Sequence, residues 1–157
     1  MTRHLLAAAL LSFALPAFAH DYALGALRVD HPVVYAAPPT ARAAAGYMTI
    51  ANSGDTPDRL TGIAIDAEGA RAEIHRSAMR DGVMTMEEAG AVEIPAGGEA
   101  ALAPGGYHVM ILGLPTAPRE GETIDATLTF ERAGTVAVTF QVEARPAGGQ
   151  EQDHSGH

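Results

Sequence analysis

The sequence predicts an all-β domain, a β-sandwich or Greek-key barrel, on three observations. Short apolar segments are broken at regular intervals by turn residues, and no long stretch carries a helical period. Near the end the alternation is strict, with Val136, Val138, Phe140 and Val142 on one face. Many short strands with regularly spaced turns are the pattern of sandwiches and Greek-key barrels. No internal repeat is visible.

The elements follow in order. Arg3, the apolar run from Leu5 to Leu15 and Ala17-Phe18-Ala19 read as an export signal over residues 1–19. That run is too short, and too close to the cleavage motif, to span a membrane. The domain is expected over residues 20–143, a single-domain length, in the periplasm. Its first strand, residues 27–34, ends before Ala37-Pro38-Pro39, and the second, 45–52, runs into Asn52-Ser53-Gly54-Asp55. Strands follow at 60–65 and 70–77, and Asp81-Gly82 separates these from 83–87. A short strand at 92–94 stops at Pro95 through Gly98, and Pro104-Gly105-Gly106 leads into 107–114. Ala133-Gly134 divides the last two, 123–131 and 135–143. Residues 144–157 have almost nothing apolar to bury and read as a disordered tail.

Composition excludes several classes. The chain has no cysteine, so it has no disulfide framework, no thiolate metal site and no cysteine nucleophile. With 47% apolar residues an ordinary core can hold the domain together. All ten basic residues are arginine, against nineteen acidic ones, and the net charge of −9 argues against nucleic acid and anionic membrane surfaces as partners. No serine–histidine–acid set or paired-carboxylate cleft is recognisable, so no enzymatic activity is expected.

Four residues carry the chemistry: His75, Met86, His108 and Met110, spaced H-x10-M-x21-H-x-M. Thioether sulfur is a soft ligand that prefers Cu(I), and imidazole suits several transition metals, so the mixed set points to reduced copper held without thiolate. His108 and Met110 stand at i and i+2 of a strand and share a face, with Val109 turned into the core. If Asp81-Gly82 is a two-residue hairpin turn, Arg80 pairs with Val83, Met79 with Met84, Ser77 with Met86 and His75 with Glu88. His75 and Met86 are then diagonal neighbours, and Met79 and Met84 are two spare thioethers on the same face. Met48 reads as core filler. On these residues alone, copper ligation and ordinary packing remain about equally supported.

Motifs around the four residues extend the pattern: Gly82-Val83-Met84, Ile94-Pro95-Ala96-Gly97-Gly98 and Gly105-Gly106-Tyr107-His108-Val109-Met110. With His31-Pro32, Ala45-Gly46-Tyr47-Met48, Asp58-Arg59-Leu60 and Leu128-Thr129-Phe130-Glu131, the chain resembles the PCuAC family of periplasmic copper chaperones over residues 20–143. The resemblance implies a cupredoxin-like Greek-key β-barrel that binds one Cu(I) through His75, Met86, His108 and Met110. It implies delivery of copper toward the CuA centre of cytochrome c oxidase, with an oxidase subunit or another copper chaperone as acceptor. Pro32-Val33-Val34 departs from the aromatic and basic residues usual there, without removing a ligand.

The other histidines carry weaker expectations. His154 and His157 lie beside Asp153 in the tail, and their nitrogen and oxygen donors favour Cu(II) as a second site, with a solubilising tail as the alternative. Cleavage after Ala19 exposes His20, but nothing places a second imidazole beside it for an oxygenase-type brace. His31 is expected to be structural. A blue-copper electron carrier is disfavoured by the missing cysteine, and a metal-free adhesion module leaves the four-residue spacing unexplained. A copper-resistance buffer without a dedicated acceptor shares the ligands and is the alternative to a chaperone. A monomer without membrane insertion is expected.

Overall fold

A computed structural model describes residues 21–147. Among them there is no helix. The chain forms eleven strands: β1 (Asp21–Leu24), β2 (Leu27–Tyr35), β3 (Ala43–Asn52), β4 (Asp58–Ile65), β5 (Arg71–Arg80), β6 (Val83–Glu88), β7 (Val92–Ile94), β8 (Glu99–Leu102), β9 (Tyr107–Leu112), β10 (Thr123–Phe130) and β11 (Gly134–Glu143). They join into one sheet in the order β6-β5-β9-β8-β3-β2-β11-β10-β4-β7, with β1 added beside β2. Pairings are antiparallel except for β11 beside β2 and one residue pair between β8 and β9. The all-β expectation holds.

The apolar alternation of the strands closes this sheet around one core. A single cluster of buried side chains draws on every strand except β1 and β6, and includes Val29, Ile50, Leu60, Ile94, Val109, Ile111, Leu128 and Phe140. Met48 is in it as the sequence suggests, and Val138, Phe140 and Val142 point inward together. β6 contributes nothing to this core and forms an edge of the sheet. Its residues are held mainly by their pairing with β5.

β3 serves two neighbours. Its first half, from Ala43 to Gly46, pairs with β9, and its second, from Met48 to Ala51, with β8. The change-over lies at Gly46, where a Cβ would stand 3.1 Å from the Phe140 ring and 3.4 Å from Val109 Cβ. A side chain here would crowd the Phe140 ring, so glycine suits the close approach of β3 to the core at this point. At the start of β4 Asp58 is buried, and its carboxylate accepts three backbone N–H bonds. They come from Arg59 at 2.8 Å and from Arg132 and Ala133 at 2.9 Å, tying the start of β4 to the β10–β11 turn.

Most sequence-derived strands are found with ends shifted by a few residues, but two strands were not anticipated. β1 and β8 are four residues each. β8 reads Glu99-Ala100-Ala101-Leu102, and alanine is not a strand former. It is a strand because Ala100 and Leu102 bury against the second half of β3. The strand expected at 107–114 ends at Leu112, where Gly113 takes a positive φ of 73°. The strand expected at 70–77 runs on to Arg80, directly to the turn. His31 also has a positive φ, 49°, at a bulge in β2, and its side chain meets Glu143 at 3.2 Å. The export signal, His20 and the tail histidines His154 and His157 lie outside the described residues.

Candidate metal centre

The hairpin arithmetic is reproduced residue for residue. Arg80 faces Val83, Met79 faces Met84, Ser77 faces Met86 and His75 faces Glu88. Asp81 and Gly82 form the turn with φ of 51° and 79°, the left-handed pair that a type I′ turn requires. His75, Ser77, Met79, Met84 and Met86 therefore share one face, with Met86 diagonal to His75.

Tertiary pairing brings the second half of the set to this face. β9 lies on the other side of β5, and His75 sits directly opposite His108. The two rings are 5.8 Å apart between centroids, inclined at 56°. Glu73 lies opposite Met110, which is also opposite Ala45 of β3. Ile74 and Val109, one residue away on each strand, pair on the core side. All four sequence-derived residues thus stand on one surface of β6, β5 and β9.

Their exposure is graded. Met86 is 59% exposed and Met110 is half-buried, while His108 is only 3% exposed. Tyr47 of β3 stands beside His108, with ring centroids 6.5 Å apart, and Tyr35 of β2 packs against Tyr47 at 5.4 Å. Although the Pro104-Gly105-Gly106 turn places His108 near a strand end, His108 is covered, and the exposed donor is Met86. Beyond Met110 a groove of about 470 Å³ runs past Tyr35, Tyr47, Ala45, Pro104 and Arg145. A hollow of about 500 Å³ around Tyr22, Asp125 and Thr139 contains none of the four residues.

Hydrogen bonds decide which ring nitrogens remain free. Glu73 Oε2 lies 2.9 Å from His75 Nε2, and Glu73 Oε1 accepts from Arg71 Nε at 3.3 Å. Hydrogen bonds from His75 and then Arg71 hold the Glu73 carboxyl below its ordinary range, so it is ionised and only accepts. Nε2 of a neutral His75 must therefore carry the proton, leaving a lone pair on Nδ1. On His108, Nδ1 is 3.4 Å from the Gly106 carbonyl oxygen, which again can only accept. Burial lowers the His108 pKa, outweighing the Gly106 bond, and the neighbouring His75 lowers it further; the ring is neutral near pH 7 with its lone pair on Nε2.

His75 Nδ1 and His108 Nε2 are both buried with no hydrogen-bond partner. Buried polar atoms are normally paired, because an unpaired one costs about 1–3 kcal/mol. Two orphan lone pairs on rings facing each other across one strand pair, with thioethers on either side, form a donor set suited to a soft, low-charge cation. Glu73 was missed in the sequence. Its signal was there: it precedes His75 by two residues, the spacing that puts two strand side chains on one face. Tyr47 and Tyr35 carried no such signal, since β2 and β3 reach the site only through pairing.

Fold and site together define an all-β, cupredoxin-like domain whose outer face holds paired histidines flanked by methionines. The chain belongs to the LpqE-like family, described as "Putative lipoprotein LpqE-like", whose model matches residues 27–142. It is 34% identical over 106 residues to "Putative lipoprotein Lxx21020" of Leifsonia xyli subsp. xyli. That match covers 64% of this chain and 64% of the relative, so it spans a little under two thirds of the relative's length. Among solved structures it is similar to the copper-bound PCuAC domain from PmoF2, with 32% identity and a TM-score of 0.67, covering 80% of this chain and 99% of that one. It is also similar to the solution structure of Cu(I)-DR1885 from Deinococcus radiodurans, with 30% identity, a TM-score of 0.55 and coverage of 82% and 84%. The fold is thus PCuAC-like.

Proposed function

We propose that this protein is a Cu(I) chaperone working outside the cytoplasm, a carrier rather than an enzyme. Its copper ligands are His75 through Nδ1, His108 through Nε2, and the thioethers of Met86 and Met110. The observation that carries this reading is the pair of orphaned, buried imidazole nitrogens on directly opposed residues of β5 and β9. Such unpaired groups are retained at a cost in stability, and a cargo ion with two open nitrogen positions accounts for them. Similarity to copper-bound and Cu(I)-bound PCuAC structures supports the choice of metal.

All four ligands are neutral, so the site holds Cu(I) without the net negative charge that would trap a divalent ion. Without thiolate it is also not lost to disulfide formation in an oxidising compartment. Exposed Met86 is the ligand an acceptor displaces first, and His108, covered by Tyr47, is the last released. Among the described residues no helix is long and apolar enough to cross a membrane. The acceptor we propose is the CuA centre of cytochrome c oxidase or another copper chaperone, met by a monomer. His154 and His157, outside the described residues, are proposed as a separate Cu(II) site.

Copper stoichiometry and X-ray absorption on protein loaded with Cu(I) test the reading. One Cu(I) with mixed sulfur and nitrogen scattering, lost in the His75→Ala/Met86→Leu/His108→Ala/Met110→Leu variant, is the expected result. No Cu(I) binding, or binding unchanged in the variant, overturns it.

A further inference from the structure

The β5–β6 hairpin carries an anomaly that the four-ligand site uses only in part. Among the described residues the large apolar side chains left exposed are Met79 at 64%, Val83 at 62%, Met84 at 52% and Met86 at 59%. All four belong to this one hairpin. Three are methionines, and register puts those three on the face that carries His75. Met79 and Met84 are direct cross-strand partners, with Cβ atoms about 5 Å apart, and Met86 is the diagonal neighbour of Met79 at about 7–8 Å. Unbranched side chains with three rotatable bonds can bring their sulfurs together from these positions.

Toward the tip, charge is kept off the methionine face, on which Glu88, opposite His75, is the first charged side chain back from the turn. Arg76, Arg80 and Glu87 alternate out of the methionine face by the same register. On the opposite face Arg80 pairs with Glu87 at 2.8 Å, and the Arg76 guanidinium lies 6.0 Å from the Tyr107 ring centre. Between the turn and His75 the methionine face offers only thioethers and the Ser77 hydroxyl. A neutral all-sulfur cluster open to solvent is selective for Cu(I) over the harder divalent ions. Leucine or valine would serve equally for an apolar docking patch, whereas thioether sulfur adds a donor.

We propose that Met79, Met84 and Met86 form a Cu(I) loading station at the hairpin tip, from which copper passes to the site between β5 and β9. This rests on the function proposed above and adds a second, transient metal site to it. Met86 belongs to both sets and is the pivot. Copper held by the three sulfurs gains the Nδ1 lone pair of His75 as one sulfur of Met79 or Met84 leaves. His108 Nε2 and Met110 then complete the inner set, and the remaining tip sulfur departs. Two tip sulfurs leave and three inner donors enter, so the ion passes from three lone-pair donors to four. Copper stays Cu(I) throughout, and it enters at the two ring nitrogens that have no hydrogen-bond partner.

The test uses two variants of the full chain and Cu(I) supplied as a chromophoric chelator complex. In Met79→Leu/Met84→Leu, which keeps the apolar surface and removes only sulfur, loading from the chelator should slow by at least about tenfold, since the ion must now find the inner site without a local reservoir. The final affinity of that site should be unchanged. In His75→Ala/His108→Ala/Met110→Leu the station alone remains, and one weakly held Cu(I) with sulfur-only scattering is expected. A wild-type loading rate in the leucine variant overturns the station, as does a folded triple variant that binds no Cu(I). Should the triple variant fail to fold, the loading rate alone decides. Absence of Cu(I) from the inner site of the wild-type protein would instead sink the proposed function, while sulfur-only binding in the triple variant still reports on the station.

Discussion

Glu73 and His75 project from the same face of β5, and the carboxylate Oε2 stands 2.9 Å from the ring Nε2. Arg71 holds the other carboxylate oxygen at 3.3 Å, so the three residues form a line at i, i+2 and i+4 that ends on the ring. A carboxylate behind a ligating imidazole fixes its tautomer, aims its free nitrogen and raises its basicity. Replacing Glu73 by Ala should weaken Cu(I) binding about 10- to 100-fold, the usual effect of losing such a partner. Glu73→Gln keeps an acceptor and removes the charge. It should bind Cu(I) more tightly than the alanine variant and raise the Cu(II)/Cu(I) potential, because the lost negative charge favoured the dication. Chelator competition and protein voltammetry measure both, and wild-type values in each variant would show that Glu73 is only a surface residue.

His108 Nε2 is buried without a partner, so the metal-free fold carries a cost that an apolar side chain removes. His108→Leu should leave the copper-free protein as stable as wild type or more stable, by up to about 1–2 kcal/mol, while abolishing high-affinity copper binding. Urea unfolding in the presence of a copper chelator reads the first part. A clear loss of stability would mean that Nε2 has a bonding partner in the copper-free protein.

Asp58 governs stability in acid. Burial pushes its pKa up, but backbone hydrogen bonds from Arg132, Arg59 and Ala133, together with the Arg132 charge, prevail and leave it below the ordinary 3.8. A carboxyl whose pKa is lowered by folding stabilises the native state fully above its unfolded pKa, and that contribution is lost as pH falls through the folded value. The Asp58 contribution is therefore intact at neutral pH, starts to fall below about pH 4 and is gone once pH has passed the lower folded value. Asp58→Asn should cost on the order of 2–3 kcal/mol at pH 7, because an amide cannot accept all three bonds. The difference from wild type should shrink toward pH 2 in urea unfolding series. A pH-independent difference would assign the effect to packing instead.

Gly46 sets how closely β3 lies against β9. A methyl group there must push against the Phe140 ring at 3.1 Å while touching Val109 Cβ at 3.4 Å. Gly46→Ala should destabilise by about 1–3 kcal/mol, the range for overpacking a filled core. Because Val109 lies between His108 and Met110, copper affinity should fall in the same variant. Thermal unfolding and chelator competition report the two effects separately, and an unperturbed variant would mean that the strands can part without strain.

Much of this protein is legible in one dimension because its determinants are local. Period-two alternation from Val136 to Val142 marks a strand facing a core. Asp81-Gly82 is almost obliged to be a type I′ turn, and from it the whole β5–β6 register follows, including the methionine face. The two-residue spacing of His108 and Met110 puts them on one side of a strand wherever that strand packs. Even residue types narrow the chemistry, since thioether and imidazole without cysteine favour reduced copper.

What needed the tertiary structure is everything carried by pairing between distant strands. That β9 lies beside β5, with His75 opposite His108, is a choice among many registers that no local pattern ranks. Burial of β9 between β5 and β3 makes that choice, because only there do Val109, Ile111 and Ile74 enter the same core. β8 is a strand for the same reason: two of its residues find a place in the core that their own propensity would not predict. The pair of orphaned ring nitrogens is likewise a tertiary fact. It depends on where Glu73 and the Gly106 carbonyl stand relative to each ring, and on Tyr47 closing over His108 from a strand that the chain reaches only through the fold.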